Sequence, residues 1–223
     1  MSRAPTKRQL EVLVSAYREK ADDFELFRQQ VASFFTSRQF NTRPLPLVHS
    51  VKSRLKDHDH LREKIIRKAK ESPIRVDELF NRITDFAGVR VLHLYSQQFP
   101  ELHRLIVKHV SEGYWVLNED PIGYSWDPEA TAMLTGLGIK CQTKESYYTS
   151  IHYVVRPFTN SFLSCEIQVR TLFEEAWGEI DHAINYPIPT DVISCKEQLR
   201  VLAKLASTGT RLADSIFRSQ EDS

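Results

Sequence analysis

Apolar and polar residues alternate with a period of two over residues 165–170, where the sequence reads Cys-Glu-Ile-Gln-Val-Arg. This period is typical of a strand that is buried on one face only. The other face then carries the side chains of Glu166, Gln168 and Arg170. An acid, an amide and a guanidinium suit a metal ion, the edge of a base and a phosphate, so the pattern predicts a binding face.

Elsewhere the apolar spacing predicts alternating strands and helices. Phenylalanines at helical spacing, such as Phe24 and Phe27, predict one long helix or two short ones over residues 7–37. Residues 113–138 are rich in proline and glycine and predict a loop with one helical turn. Further strands are predicted over 47–56, 88–95, 151–155 and 162–170, and further helices over 57–71, 77–83, 99–110, 172–186 and 196–217. The pattern predicts an α/β fold with a mixed sheet flanked by helices.

Length and composition indicate one globular domain with helical extensions, since the chain has 223 residues, 41% hydrophobic and 26% charged. We divide it into an N-terminal helical extension (1–44), a central domain (45–190) and a C-terminal helix (191–223). No apolar run reaches membrane-spanning length, and the N-terminus lacks the apolar core of a signal peptide. The three cysteines are far apart, which argues against disulfides. We therefore expect a cytoplasmic protein with no membrane partner.

The net charge is only +1, but the charges are unevenly distributed. Residues 38–75 contain eleven Lys or Arg against four Asp or Glu, whereas acids dominate residues 166–191. A basic segment facing an acidic one suits a polyphosphate with its metal ion. On charge alone, a solvated basic helix is an equally good interpretation of the first segment.

A cluster of three cations is predicted where the first strand meets the following helix. The period of two places Arg54 and Lys56 on one face of the strand, and Lys64 enters from the helix, which Asp57 or Asp59 can cap. Three cations that converge from two elements can hold a triphosphate. A solvated helix start is the alternative.

Two further motifs combine charged and aromatic residues. Asp85 precedes a glycine turn, and Arg90 follows within an apolar strand, where it needs a partner or a ligand. A structural ion pair would also satisfy Arg90. In a polar loop before another strand, Tyr148 can stack on a base while Lys144 and His152 contact phosphate or sugar. A turn with surface tyrosines is the alternative there.

Taken together, these motifs resemble the synthetase domain of the RelA/SpoT family of alarmone synthetases, over about residues 45–186. Each motif is common alone, but four of them in order and with matching spacing are specific. The matching residues are Arg54, Lys56, Lys64, Asp85, Gly88, Arg90, Lys144, Tyr148, His152, Glu166, Gln168, Arg170, Thr171, Trp177 and His182.

The resemblance implies a nucleotidyltransferase-like fold, in which residues 45–190 are the synthetase domain. It also implies magnesium-dependent transfer of pyrophosphate from ATP to the 3′-hydroxyl of GDP or GTP, which gives a (p)ppGpp alarmone. On this analogy Arg54 and Arg90 hold the adenine side of ATP, while Lys56 and Lys64 hold its phosphates. A reaction at a phosphorus atom of ATP does need cations, a metal and a positioned hydroxyl group.

The same resemblance implies the roles of the remaining site residues. Asp85 and Glu166 bind Mg²⁺ and form the catalytic pair, with Glu166 also acting as the base for the attacking hydroxyl. Tyr148 stacks on the acceptor base. The residues implied on the acceptor side are Lys144, Tyr148, His152, Gln168, Arg170 and Glu175.

The sequence departs from the family pattern only on the acceptor side. Ser146 and Tyr147 stand where the family usually has Asn-Gly, and Glu175 stands where small synthetases often have Asn. A carboxylate at 175 can accept hydrogen bonds from N1 and N2 of guanine, so guanine is the preferred acceptor. The alternative is the same chemistry on another acceptor. That acceptor is either an adenine nucleotide or the 3′ end of tRNA, which the protein would modify as a toxin.

A catalytically silent nucleotide-binding module is a second alternative. The presence of both Asp85 and Glu166 argues against it, because a binding module has little need of two metal-ligating acids. We expect ATP and a nucleotide acceptor as partners, and leave a homo-oligomer open. A tRNA partner is not favoured, since the net charge of +1 supplies little general attraction for nucleic acid.

Overall fold

A computed structural model describes residues 5–41, 45–186 and 188–221. The helices are α1 (Lys7–Arg18), α2 (Ala21–Thr36), α3 (His58–Ala69), α4 (Leu79–Arg82), α5 (Phe99–Ser111), α6 (Pro128–Gly136), α7 (Leu172–Asn185) and α8 (Ile193–Glu221). The strands are β1 (Ser50–Leu55), β2 (Ala87–His93), β3 (Val116–Leu117), β4 (Ile122–Tyr124), β5 (Lys140–Gln142), β6 (Ser150–Arg156) and β7 (Cys165–Thr171). Pro187 and the predicted domain boundary at residue 44 lie outside the described residues.

The strands form one mixed sheet in the order β1-β2-β7-β6-β4-β5, with β3 paired to β6. The β2–β7 and β4–β5 pairs are parallel, and the other pairs are antiparallel. Helices flank this sheet, so the predicted fold class is confirmed. The division into three segments stays a prediction, although α1 and α2 contribute to the same hydrophobic core as the sheet.

The strand register aligns the polar residues across one face of the sheet. Lys52 of β1 pairs with Arg90 of β2, which pairs with Gln168 of β7, which in turn pairs with His152 of β6. Glu166 is two residues before Gln168 and pairs with Gly88 and Val154. Because alternate residues share a face, this register gathers side chains from four strands into one polar surface.

The opposite face of the sheet is the core. Helix α2 packs against β1, β2 and β7, and the rings of Phe24, Tyr17 and Phe86 lie within 5.8 Å of one another. Cys165 is fully buried there, as its place in the alternating pattern predicts. On the other side, α8 packs against α7, and Trp177 Nε1 donates to the backbone oxygen of Leu199 at 2.8 Å.

The predicted loop over residues 113–138 is wrong, because it contains β3, β4 and α6. Strands of two and three residues are too short to show a period, and pairing with β6 stabilises them. The sequence did contain a start signal for α6, because Asp and Pro are favoured at the first positions of a helix. In the structure Asp127 accepts the backbone N–H of Glu129, and Pro128 occupies the first turn. Gly123 permits close packing, because a Cβ there would lie 2.8 Å from Leu134 Cδ1.

The other predicted bounds differ only at their ends. The N-terminal segment forms two helices, β7 begins at Cys165 rather than at Phe162, and α8 extends beyond its predicted limits on both sides. Strand β5 was not predicted. Within the described residues, no helix combines the length and the apolarity needed to cross a membrane.

Candidate active site

The polar face of the sheet, α3 and α7 enclose a cleft of about 600 Å³. This volume falls within the range of pockets that hold small-molecule ligands. The predicted site residues that line the cleft are Arg54, Lys56, Asp85, Arg90, Tyr148, Glu166, Gln168 and Arg170. The other predicted residues contact this lining and are Lys64, Lys144, His152 and Glu175.

Asp85, which lines the cleft, lies between two lysine side chains. Its Oδ2 atom is 2.8 Å from Lys56 Nζ and 2.6 Å from Lys64 Nζ. Lys56 directly follows β1, and its backbone N–H donates to the oxygen of Phe86 at 2.7 Å. Asp57 accepts two backbone N–H groups and so caps the start of α3, the helix that carries Lys64. Local structure therefore brings both cations to one carboxylate.

One oxygen of Asp85 is left without a partner. Asp85 Oδ1 is buried and has no hydrogen bond among the described residues. Burial opposes ionisation of Asp85, but the charges of Lys64 and Lys56 outweigh burial and hold its pKa below the ordinary value. The carboxylate is therefore ionised at neutral pH, with one oxygen available to a ligand.

Glu175 contacts three cations that line the cleft. Its Oε1 lies 3.0 Å from Lys52 Nζ and 2.8 Å from Arg90 Nη1, and its Oε2 lies 3.5 Å from Arg170 Nη1. Arg90 also lies 2.6 Å from Glu179 Oε1, so it has the partners that its apolar strand requires. Glu175 thus joins Arg90 to Arg170. Its contact with an acceptor base stays a prediction.

Arg54 and three aromatic rings also line the cleft. Arg54 is exposed on β1 and lines the cleft. The Tyr186 ring stacks on His182 of α7 at 4.6 Å and meets His60 of α3 edge-on at 4.7 Å. The three rings therefore connect α3 with the end of α7.

Five side chains form a closed ring of hydrogen bonds, which we call the polar ring: Glu166, His152, Tyr148, Arg170 and Gln168. His152 Nδ1 lies 3.1 Å from Glu166 Oε1, and its Nε2 lies 2.9 Å from the Tyr148 hydroxyl oxygen. Arg170 Nη2 donates to that hydroxyl oxygen at 2.7 Å and to Gln168 Oε1 at 2.6 Å. Gln168 Nε2 donates to Glu166 Oε2 at 2.6 Å and closes the ring.

The chemistry of these groups sets the direction of the hydrogen bonds. Arg170 can only donate, so the Tyr148 oxygen accepts from it and can donate its own proton to His152 Nε2. His152 then donates from Nδ1 to an ionised Glu166, and each of these hydrogen bonds has a donor and an acceptor. Burial opposes ionisation of Glu166, but the hydrogen bonds that it accepts, first of all the one from His152, hold the pKa of Glu166 below its ordinary value.

Tyr124 of β4 belongs to this site, although no sequence signal marked it. Lys144 Nζ lies 4.0 Å from the centre of the Tyr124 ring and 4.5 Å from that of Tyr148. The Tyr124 ring also meets His152 edge-on at 4.9 Å. Burial lowers the pKa of Lys144. Tyr124 was missed because β4 has three residues and lies in the segment predicted to be a loop.

Gly178 is a second residue that the sequence did not mark. A Cβ at this position of α7 would lie 2.8 Å from Arg170 Nη1. Glycine thus leaves space for the Arg170 guanidinium between α7 and β7, where the side chain is 4% exposed.

The residues in the cleft fit a divalent metal ion. Mg²⁺ prefers oxygen ligands and is often held by one or two carboxylates together with substrate phosphates. The buried, unpartnered Oδ1 of Asp85 is a suitable donor, and Glu166 is near enough that the Asp85 charge acts to raise its pKa. Across the described residues, no cluster of three or more His, Cys, Asp or Glu could hold a metal by itself. Water and the oxygens of a nucleotide could supply the other ligands of a metal ion held by these carboxylates.

The fold and this cleft define an α/β protein with a polar cleft on one face of a mixed sheet that helices flank. A GTP pyrophosphokinase family protein from Streptococcus pneumoniae has a similar fold, with a TM-score of 0.71, 20% identity, and coverage of 92% of this chain and 95% of that one. The small alarmone synthetase 1 of Bacillus subtilis, bound to its product pppGpp, has a TM-score of 0.65, 21% identity, and coverage of 97% and 100%.

Sequence comparison identifies the family. The GTP pyrophosphokinase YwaC of Bacillus subtilis strain 168 is 24% identical over 167 residues, which are 72% of this chain and 69% of the relative. The sequence profile of the region found in RelA / SpoT proteins matches residues 53–191, more than half of the chain. The chain belongs to the RelA/SpoT family, as its motifs predicted.

Proposed function

We propose that the protein transfers pyrophosphate from ATP to the 3′-hydroxyl of GDP or GTP and so makes a (p)ppGpp alarmone. The arrangement of one cleft carries this proposal: two lysines surround an aspartate, and the same cleft contains a polar ring with a glutamate and a tyrosine. Family membership supports the same chemistry. One relative is named a GTP pyrophosphokinase, and another was crystallised with its product pppGpp.

On the donor side, Lys56 and Lys64 bind the phosphates of ATP, and Arg54 and Arg90 contact its adenosine part. The lysines now pair with Asp85 through a single oxygen, so the triphosphate can share these cations without breaking another contact. A divalent ion held by Asp85 and Glu166 would offset the charge that develops on the phosphate oxygens.

On the acceptor side, Glu166 removes the proton of the 3′-hydroxyl as that oxygen attacks the β-phosphorus of ATP. The bond from this phosphorus to the α–β bridging oxygen breaks, and AMP leaves with the bridging oxygen. His152 and Gln168 hold the two carboxylate oxygens of Glu166 in one orientation, which favours attack from one direction. Tyr148 stacks on the acceptor base, and Lys144 lies beside it.

The test is transfer from γ-labelled ATP to each candidate acceptor, with the products separated by chromatography. GDP, GTP, ADP, ATP and deacylated tRNA are assayed side by side, with and without EDTA. We expect GDP or GTP to be preferred by more than about tenfold, or roughly 1.4 kcal/mol. Transfer confined to ADP, ATP or tRNA would keep the chemistry and overturn the acceptor. ATP binding without transfer to any acceptor would favour the silent module.

A further inference from the structure

Tyr147 has a backbone conformation that bulky residues rarely adopt. Its φ is 64°, in the left-handed region, where glycine is favoured and a tyrosine is an outlier. The residue lies in the β5–β6 loop (residues 143–149), directly before Tyr148 of the polar ring. Such a conformation persists only where the surroundings hold the residue in place.

Contacts outside the cleft hold Tyr147. Its ring stacks on Trp126, with ring centres 5.0 Å apart and planes inclined by 18°. Arg200 and Lys204, one turn apart on α8, each lie 5.9 Å from the centre of the Tyr147 ring. The left-handed turn thus sends two neighbouring tyrosines in different directions, with Tyr147 towards α8 and Tyr148 into the cleft.

The same helix also holds the loop backbone and is itself anchored to the domain. Arg200 Nε donates to the backbone oxygen of Glu145 at 3.3 Å. Further along α8, Ser207 donates to Asp127, and the Thr210 hydroxyl lies 3.2 Å from that of Thr171 at the end of β7. Helix α8 is therefore a fixed support, and it lies beyond residue 191, where the match to the family profile ends.

We propose that Tyr147 is a positioning residue for the acceptor, and that α8 acts on acceptor affinity through it. The stack on Trp126 and the cations of α8 hold the β5–β6 loop so that the Tyr148 ring faces the cleft and its hydroxyl reaches the polar ring. Tyr147 itself touches neither substrate. The assignment of the acceptor to this side rests on the proposed function.

Four substitutions test the proposal through separate measurements of kcat, the KM of the acceptor and the Kd of ATP. Tyr147→Ala removes the stack and should raise the KM for GDP by about tenfold, with little change in ATP affinity. Tyr147→Phe keeps the ring and should stay close to the wild type. Tyr147→Gly relaxes the backbone but loses the ring, so it should behave like Tyr147→Ala. Arg200→Ala should raise the same KM by a smaller factor.

Lys196→Ala is the matched control, because Lys196 is an exposed cation one turn before Arg200, and its side chain makes no hydrogen bond or ion pair among the described residues. Thermal melts show whether each variant folds, and Arg200→Ala keeps the test available if the Tyr147 variants unfold. An unchanged acceptor KM in Tyr147→Ala and Tyr147→Gly would overturn the proposal, as would an equal loss of ATP affinity. Wild-type protein that transfers pyrophosphate to no acceptor would instead overturn the proposed function.

Discussion

The residues proposed to bind ATP, which we call the donor end, and those proposed to bind the acceptor, which we call the acceptor end, are organised in opposite ways. At the donor end, Lys56 and Lys64 share one oxygen of Asp85, whose second oxygen has no partner among the described residues. At the acceptor end, both oxygens of Glu166 accept hydrogen bonds within the polar ring, and Tyr148 is part of that ring. The donor end is thus a cluster of charges with an oxygen left over for a ligand, whereas the acceptor end is a closed ring of directional hydrogen bonds, although the buried Arg170 Nε has no partner among the described residues.

This difference indicates how each end contributes to a reaction. The charges of the donor end can be redistributed when a triphosphate and a metal ion arrive, because ionic contacts tolerate several geometries. The polar ring is directional, so it keeps Glu166 and Tyr148 in one arrangement before an acceptor binds. Losing a member of the ring should therefore affect the acceptor, and losing a donor cation should affect ATP.

The largest effect is expected from removing either carboxylate. Asp85→Asn or Glu166→Gln should lower turnover by a factor of at least about a hundred, since each removes a charge that a metal and the reacting groups require. The two variants should differ in ATP binding without metal. Asp85→Asn frees two lysines and should tighten ATP binding, whereas Glu166→Gln should leave ATP binding unchanged. Calorimetry and steady-state rates measure both, and near-normal turnover in either variant would contradict the assignment.

The next largest effect is expected from removing the cations proposed to bind ATP. Lys56→Ala and Lys64→Ala should each weaken ATP binding by roughly 1.5–3 kcal/mol, the cost of losing a charge-assisted phosphate contact. Lys70→Ala, which removes an exposed cation at the end of α3, is the control and should bind ATP normally. If ATP affinity is unchanged in both lysine variants, the basic segment is only a solvated surface.

A comparable effect on the other substrate is expected at Tyr148. Tyr148→Ala should raise the KM of the acceptor by an amount equivalent to roughly 1–3 kcal/mol, because a stacked base loses its partner. Tyr148→Phe keeps the ring but loses the hydrogen bonds to His152 and from Arg170, so its KM should change less. ATP affinity measured by calorimetry should not respond to either change. A variant that weakens ATP and spares the acceptor would show that the two ends are assigned in reverse.

The smallest effect is expected from Gly178→Ala. Alanine favours the helical state over glycine by about 1 kcal/mol, so the melting temperature should not fall. Its Cβ would nevertheless lie 2.8 Å from Arg170 Nη1, so the guanidinium must shift, which would disturb its hydrogen bonds in the polar ring. The acceptor KM should rise by about threefold, equivalent to roughly 0.7 kcal/mol, while ATP affinity stays unchanged. An unchanged KM would mean that Arg170 can shift without cost.

The donor end could be predicted from the sequence because its residues lie in short local patterns. The alternating pattern of the first strand predicts the face on which Lys56 lies. The capping residue Asp57 predicts where α3 begins, and so brings Lys64 to the same side of the sheet as Lys56. Glu166, Gln168 and Arg170 were likewise predicted on one face of a strand, which the structure confirms. Their roles in catalysis stay predictions that the substitutions above can test.

By itself, then, the sequence determined the family, the α/β fold class, and which side chains share a face of each strand, since these depend on periods and spacings within short segments. The tertiary structure alone decided that the polar ring closes, because that needs the register of β6 against β7 and a contact from the β5–β6 loop. It also decided that Tyr124 belongs to the site and that α8 holds Tyr147. Such contacts join residues far apart in the chain, and no local pattern encodes which distant partner a side chain will meet.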